Sequence, residues 1–226
     1  MKTKRNWNLI AVVFVVVATS TACHFNLHHQ VKGSGVRQTQ KRDLPSFTSI
    51  STEGAFDIRV VCKKDQSLEI ETDDNILPLI KTDVSRNVLH IRTSGNYSTN
   101  DDVVIRITVP DLEGITVNGA GKVDIKNLDN DQFEVNLNGA PTIEVAGETQ
   151  NLKLKANGAG KIDSHKLRAT NVSVTSNGVS SVDVYAGEKL DVHISGPSHV
   201  TYDGEPTVSK TINGPGSLEK KEAKGA

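Results

Sequence analysis

The sequence predicts an all-β protein built as a parallel β-helix, and three observations carry that prediction. An Asn-Gly unit recurs at a nearly constant interval. Alternating apolar residues fall into columns when the units are aligned. Aromatic residues make up only 4% of the 226-residue chain. The core must therefore rest on Val, Ile and Leu rather than on the large rings that dominate many cores. The length suits one domain of roughly 100–200 residues with tails.

The first element is an N-terminal address, residues 1–22. Lys2, Lys4 and Arg5 precede an uninterrupted apolar run from Leu9 to Ala18, followed by the small residues Thr19, Ser20, Thr21 and Ala22. This is the layout of a signal peptide. Its ten apolar residues fall short of the roughly 20 that span a bilayer. The ending Ala22-Cys23 resembles the bacterial lipobox, with Ser20 where that motif usually carries Leu. The resemblance implies a diacylglycerol on Cys23 and cleavage just before it. His24 in place of Asp removes the usual inner-membrane retention signal, so an outer-membrane lipoprotein is expected. With Cys23 lipidated, Cys62 is the one remaining thiol, and its place in an alternating run (Ile58, Val60, Cys62) marks it as a small buried hydrophobe. Cleavage upstream by the ordinary route would instead leave Cys23 and Cys62 able to pair.

Residues 23–43, beginning at Cys23, carry Gly33-Ser34-Gly35 and no periodicity, and read as a flexible tether. His24, His28 and His29 have no acidic partner nearby, so solvated tether residues are expected rather than a metal site.

The body, residues 44–220, begins with ISTEGAFDIRV (50–60), which alternates around Gly54. SLEIET (67–72), NVLHIRT (87–93) and DVVIRITV (102–109) also alternate but lack the Asn-Gly corner. They are expected to form irregular coils or a capping sheet, since a solenoid needs atypical end units. The regular units follow, anchored on Gly119, Gly139, Gly158, Gly178, Gly196 and Gly214, at intervals of 20, 19, 20, 18 and 18 residues. Four residues before each glycine stand Ile115, Val135, Leu154, Val174 and Val192, with Lys210 breaking the column. Four after stand Val123, Ile143, Ile162, Val182, Val200 and Leu218. Even offsets are mostly apolar and odd offsets mostly polar, the period-two pattern of strands on both sides of the turn.

Antiparallel hairpins also use Asn-Gly turns. Here the turn is longer than two residues and side-chain identity persists down each column, as stacked coils require. Coils about 4.8 Å apart give six of them a height of about 25 Å. The corner glycines are expected to supply positive φ without a Cβ clash. The Asn column (Asn118, Asn138, Asn157, Asn177, Asn213, with Ser195 substituting) is placed to bond along the axis as a ladder. Lys210 and Lys220 in core columns mark the last unit as a cap or frayed end, and residues 221–226 form a polar tail.

FTSISTEGAFDIRV, LHIRT and above all the run IRITVPDLEGITVNGAGKVDI (105–125) resemble the head GIN domain family of auto-transporter adhesins over residues 44–220. The resemblance implies a right-handed β-helix, export and cell-envelope attachment. It implies no established activity, since a fold does not fix a function.

Chemistry is sparse. The chain carries 26 basic and 27 acidic residues, which argues against a nucleic-acid partner bound through bulk charge. Two cysteines exclude a disulfide-dense scaffold and a multi-Cys zinc site. No nucleophile, metal or phosphate-loop motif stands out, and no cofactor is expected. His193 and His199 flank the Gly196 corner without a catalytic partner. One column invites attention: Asp124, Glu144, Asp163 and Asp183 share one outward offset. It is either a stripe facing a cation or sugar, or a solvated face balanced by Lys122 and Lys161. The reading is a lipid-anchored, non-enzymatic envelope module for binding, adhesion or structure, with an envelope polysaccharide or protein as its partner. A polysaccharide-active β-helix enzyme using the stripe, or a periplasmic regulatory or stress-response lipoprotein, are the alternatives.

Overall fold

A computed structural model describes residues 30–221. The expected signal peptide, Cys23 and its three following histidines, and residues 222–226 lie outside the described residues. The chain opens with β1 (Val31–Lys32), β2 (Arg37–Lys41), β3 (Ser49–Glu53), β4 (Ala55–Cys62) and β5 (Ser67–Asp73). A single 3-10 turn (Leu77–Leu79) leads to β6 (Ile80–Ser85), β7 (Val88–Thr93), β8 (Tyr97–Ser98) and β9 (Val104–Val109). The repeats supply β10 (Gly114–Val117), β11 (Ala120–Leu137), β12 (Thr142–Ala156), β13 (Lys161–Ser176) and β14 (Ser181–Ile194). The last coil and a half are β15 (His199–Asp203), β16 (Thr207–Ile212) and β17 (Ser217–Lys220).

These strands stack in parallel, and the register is the one the glycine alignment requires. Val123 pairs Ile143, Ile143 pairs Ile162, Ile162 pairs Val182, and Val182 pairs Val200. On the other wall Ile115 pairs Val135, then Leu154, Val174 and Val192 follow in line. The fold is a β-solenoid whose inward residues form one continuous core from Phe47 to Val200. Cys62 belongs to that core and is free. Burial, with a further push from Asp111, raises its thiol to about 11, which leaves it inert.

The stack does not follow chain order throughout. β3 and β4 lie between two coils: β10 and β11 on one side, β7 and β9 on the other. The chain therefore completes its second coil in space, climbs past it, and returns beneath it at Gly114. The exposed end of the β7–β9 coil is closed by antiparallel strands, β6 against β7, β5 against β9, and β2 against β5. SLEIET thus belongs to the capping sheet, while NVLHIRT and DVVIRITV form the first coil.

β1 and β2 correct the expectation of a flexible tether over the described part of 23–43. β1 pairs β8 in parallel, and β2 pairs β5 over five residues. The strand β2 reads Arg-Gln-Thr-Gln-Lys and is exposed on both faces apart from half-buried Arg37. Backbone pairing and the ion pairs of Arg37 with Glu71 and Lys41 with Glu69 hold it, with no apolar side chain of its own, so it leaves no apolar period in the sequence.

The corner glycines also work differently from the expectation. Gly119, Gly139, Gly158, Gly178 and Gly196 are absent from the positive-φ region that Gly54, Gly121 and Gly214 occupy. They are required by close stacking. A Cβ on Gly139 would stand 1.9 Å from the carbonyl oxygen of Gly119, and one on Gly158 would stand 1.9 Å from that of Gly139. Each of those oxygens accepts the next coil's N–H, from Ala140 at 2.9 Å and Ala159 at 2.8 Å.

The asparagine ladder forms as the column suggests. Asn138 donates to Asn118 at 2.9 Å, Asn157 to Asn138 at 3.1 Å, and Asn177 to Asn157 at 3.0 Å. Replacing Asn157 by alanine removes two of these bonds. The expected result is a loss of about 1–2 kcal/mol, read as a lower urea midpoint. A second amide run lies at a different corner, where Asn171 donates to Asn151 at 3.1 Å and Asn151 to the carbonyl of Asp131 at 3.1 Å.

Serine is tolerated in the core because it is satisfied there. Ser176 donates to Ser198 at 2.7 Å and lies 2.7 Å from Ser180, and Ser198 donates to the Gly178 carbonyl at 2.8 Å. All three are buried, and a paired buried hydroxyl avoids the desolvation penalty of an orphan.

Candidate functional site

The period of two sends Asp124, Glu144, Asp163 and Asp183 outward from one wall. The parallel register places them in a single line, Asp124 beside Glu144, Glu144 beside Asp163, and Asp163 beside Asp183. Like charges on neighbouring strands repel, so the line needs cations. Lys122 reaches Glu144 at 3.1 Å and Lys161 reaches Asp163 at 3.5 Å. Three further partners were not singled out from the sequence. Lys126 pairs Asp124 at 3.0 Å, His165 bonds Asp163, and Lys221 pairs Asp183 at 2.8 Å. The hydroxyl of Thr201 donates to Asp183 as well. Every carboxylate of the line thus has a cation of its own.

Lys126 and His165 stand two residues beyond Asp124 and Asp163 on the same strands, where the period of two puts them on the same outward face. Lys221 arrives from beyond the last strand. His193 lies 3.7 Å from Asp191 and His199 lies 2.6 Å from the Ser217 hydroxyl, so the two have separate partners. Among the described residues no group of three His, Cys, Asp or Glu side chains is placed to hold a metal ion.

The opposite wall carries a groove of about 540 Å³. Gly114 leaves a gap in its floor between Ser49 and Glu134, its two register partners. A Cβ there would come within 3.0 Å of the Glu134 carbonyl. Thr116, Asn136 and Lys153 rim the gap. Glu134 is itself paired with Lys155 at 2.8 Å. The groove thus mixes neutral hydrogen-bonding groups with three charged ones, Glu113, Glu134 and Lys153.

Three carboxyls are held below their ordinary pKa. For Glu71 the hydrogen bonds from Arg106 and then Arg37 do this, and for Glu134 the bond from Lys155. For Asp163 burial alone would raise the value, but His165 and then Lys161 outweigh it. A carboxylate whose folded pKa is depressed adds stability that is complete above its unfolded pKa. That stability fades as pH falls through the folded value. The urea midpoint is therefore expected to hold from neutral pH to roughly pH 5 and to drop between about pH 4 and 2. Glu71→Gln should reduce the drop. An unchanged pH profile in that variant would show that Glu71 does not contribute.

A family model described as "Putative auto-transporter adhesin, head GIN domain" matches residues 46–206. Among solved structures, the chain is similar to a putative adhesin from Bacteroides fragilis NCTC 9343. The two share 24% identity over 84% of this chain and 100% of that one, with a TM-score of 0.69. It is also similar to a putative adhesin from Parabacteroides merdae ATCC 43184, at 19% identity over 85% and 99% of the two chains, with a TM-score of 0.54. At these identities the likeness concerns the fold. No curated protein matches the chain.

Proposed function

The chain belongs to the head GIN domain family of putative auto-transporter adhesins, and from that membership we propose that it is a non-enzymatic binding module of the cell envelope, exported and held in the outer membrane by lipid on Cys23. One observation supports the non-enzymatic reading most. The carboxylates that a polysaccharide-cleaving enzyme would draw on are each tied to a cation: Asp124 to Lys126, Glu144 to Lys122, Asp163 to Lys161, and Asp183 to Lys221. A general acid needs a raised pKa, whereas Asp163 is held low. What the solenoid offers instead is a rigid pair of long walls for a partner.

Membrane attachment rests on Cys23 and the segment after it. Seven residues separate Cys23 from β1, counting from His24 to Gln30. Fully extended they reach about 25 Å. Because β2 is paired to β5 of the capping sheet and β1 to β8, which lies between β7 and β9 of the first coil, the anchor would hold the cap end toward the membrane and leave the last coil distal. Among the described residues no helix is long and apolar enough to cross a membrane; the proposed attachment is the lipid. The expected result is a mature N-terminal peptide bearing diacylglycerol on Cys23. In Cys23→Ser the chain should leave the membrane fraction. Membrane retention of the unmodified variant would overturn the anchor.

A further inference from the structure

The capping sheet carries a groove that the repeat does not supply. It lies between β2, the 3-10 turn and β6, with a volume of about 1050 Å³, ample for a ligand of several rings. Arg42, which follows β2, is half-buried at its edge. Its guanidinium is held flat by neutral acceptors: Gln40 Oε1 at 3.1 Å from Nε and 3.0 Å from Nη2, Thr82 Oγ1 at 3.0 Å from Nη1, and the Leu77 carbonyl at 3.3 Å from Nη2. Lys81 on β6 donates to the Pro78 carbonyl at 2.7 Å. Neither Arg42 nor Lys81 has a carboxylate within ion-pair distance among the described residues. The repeat walls show the contrast, since each line carboxylate there has a cation. A guanidinium that is partly desolvated, pre-oriented and uncompensated is arranged for an anion supplied from outside.

The rest of the lining decides what kind of anion. Asp83 is on the groove wall, paired to Arg92 at 2.6 Å, and Asp74 accepts from the Ser34 hydroxyl at 2.5 Å. Asp43 is exposed at the rim. With three carboxylates beside three cations, the groove is not a basic basin of the kind a polyphosphate or nucleic acid prefers. It presents separated charges of both signs. Between them stand hydroxyl and amide groups from Gln38, Thr82 and Ser94, and an apolar patch at Leu44 and Pro78. A polymer with spaced anionic groups, many hydroxyls and weakly apolar ring faces matches that layout.

We propose that this cap groove binds an acidic polysaccharide, with Arg42 and Lys81 receiving its carboxylate or sulfate groups. The proposal deepens the binding-module reading and rests on it. It places the ligand at the end of the solenoid that the lipid anchor would hold near the membrane.

The test is calorimetric titration of the mature protein, extracted from membranes in detergent. The probes are oligogalacturonate, a heparin-derived hexasaccharide, neutral maltohexaose and inorganic sulfate. At least one acidic oligosaccharide should bind, more weakly as salt rises, and the preferred one assigns carboxylate or sulfate as the group recognised. Arg42→Gln should weaken it at least tenfold. Lys81→Gln, an exposed site whose loss leaves the fold intact, should weaken it several-fold. Lys189→Gln, at an exposed position outside both grooves, should leave it unchanged. Failure of both acidic oligosaccharides to bind overturns the proposal, as does binding that is unchanged in both cap variants. Equal binding of maltohexaose removes the anionic requirement, and equal binding of sulfate removes the polysaccharide. Binding that survives both cap variants would leave the module reading standing and refute only this groove, while the membrane release of Cys23→Ser is read independently.

Discussion

Gly158→Ala is expected to destabilise the solenoid by about 3–5 kcal/mol, or to prevent folding. The new methyl would stand 1.9 Å from the Gly139 carbonyl oxygen, more than an ångström inside ordinary contact. That oxygen is backbone and cannot swing aside. It also accepts the Ala159 N–H at 2.8 Å, so relief of the clash breaks the hydrogen bond that joins the two coils. The coils cannot separate locally without opening the ladders on both walls, because strand spacing there is fixed near 4.8 Å. Gly35→Ala provides the comparison. Gly35 has a φ of 78° but nothing within 4 Å of a Cβ, so it would carry only the left-handed backbone penalty of about 1–2 kcal/mol. Urea unfolding of the two variants separates the explanations. A shift at Gly158 no larger than that at Gly35 would mean the stack relaxes, and the close-approach argument would fail.

This distinction marks where the sequence was informative and where it was silent. The Asn-Gly columns announced both the parallel stack and the asparagine ladder, because a column is visible only if equivalent positions meet the same neighbours. The same columns do not say why glycine is needed, since close stacking and positive φ both select it. Order along the axis was hidden too. NVLHIRT and DVVIRITV alternate as strands should, but alternation does not name a partner. Their place above β3 and β4 rather than between β4 and β10 depends on pairings that leave no periodic mark. The acidic line was legible from the repeat. Its cations at Lys126 and His165 stand two residues along the same strands from Asp124 and Asp163, so the period of two already placed them on that face; Lys221, from beyond the last strand, left no periodic mark. Arg42 was the least visible of all. It stands in a polar segment whose strand is held by backbone bonds, which residue type does not report.

Lys210→Val combined with Lys220→Val is expected to make the protein associate end to end. Lys210 is the register partner of Val192, and Lys220 that of Tyr202, so both occupy positions that face the core in earlier coils. Among the described residues no further coil lies beneath them. Val208 is 38% exposed and Ile212 and Leu218 are half-buried, and the outer edges of β16 and β17 have no partner strand among the described residues. An open edge with apolar neighbours is a template for another chain. Lysines aimed at the core side oppose this, since pairing would bury two charges on each copy. Lys220 is further occupied by Glu205 at 2.6 Å, which keeps its charge at the rim. Removing both charges leaves a continuous apolar layer, in which the two introduced valines join Val208, Ile212 and Leu218. One two-fold axis crossing both walls would pair β16 with its copy and β17 with its copy, antiparallel and simultaneously, closing a dimer. Sedimentation velocity should show the double variant shifted to twice the mass of the parent species. The single variant Lys210→Val should shift less, since one inward charge per copy still opposes pairing. A double variant that sediments like the parent would mean that the edge is closed by something other than these lysines.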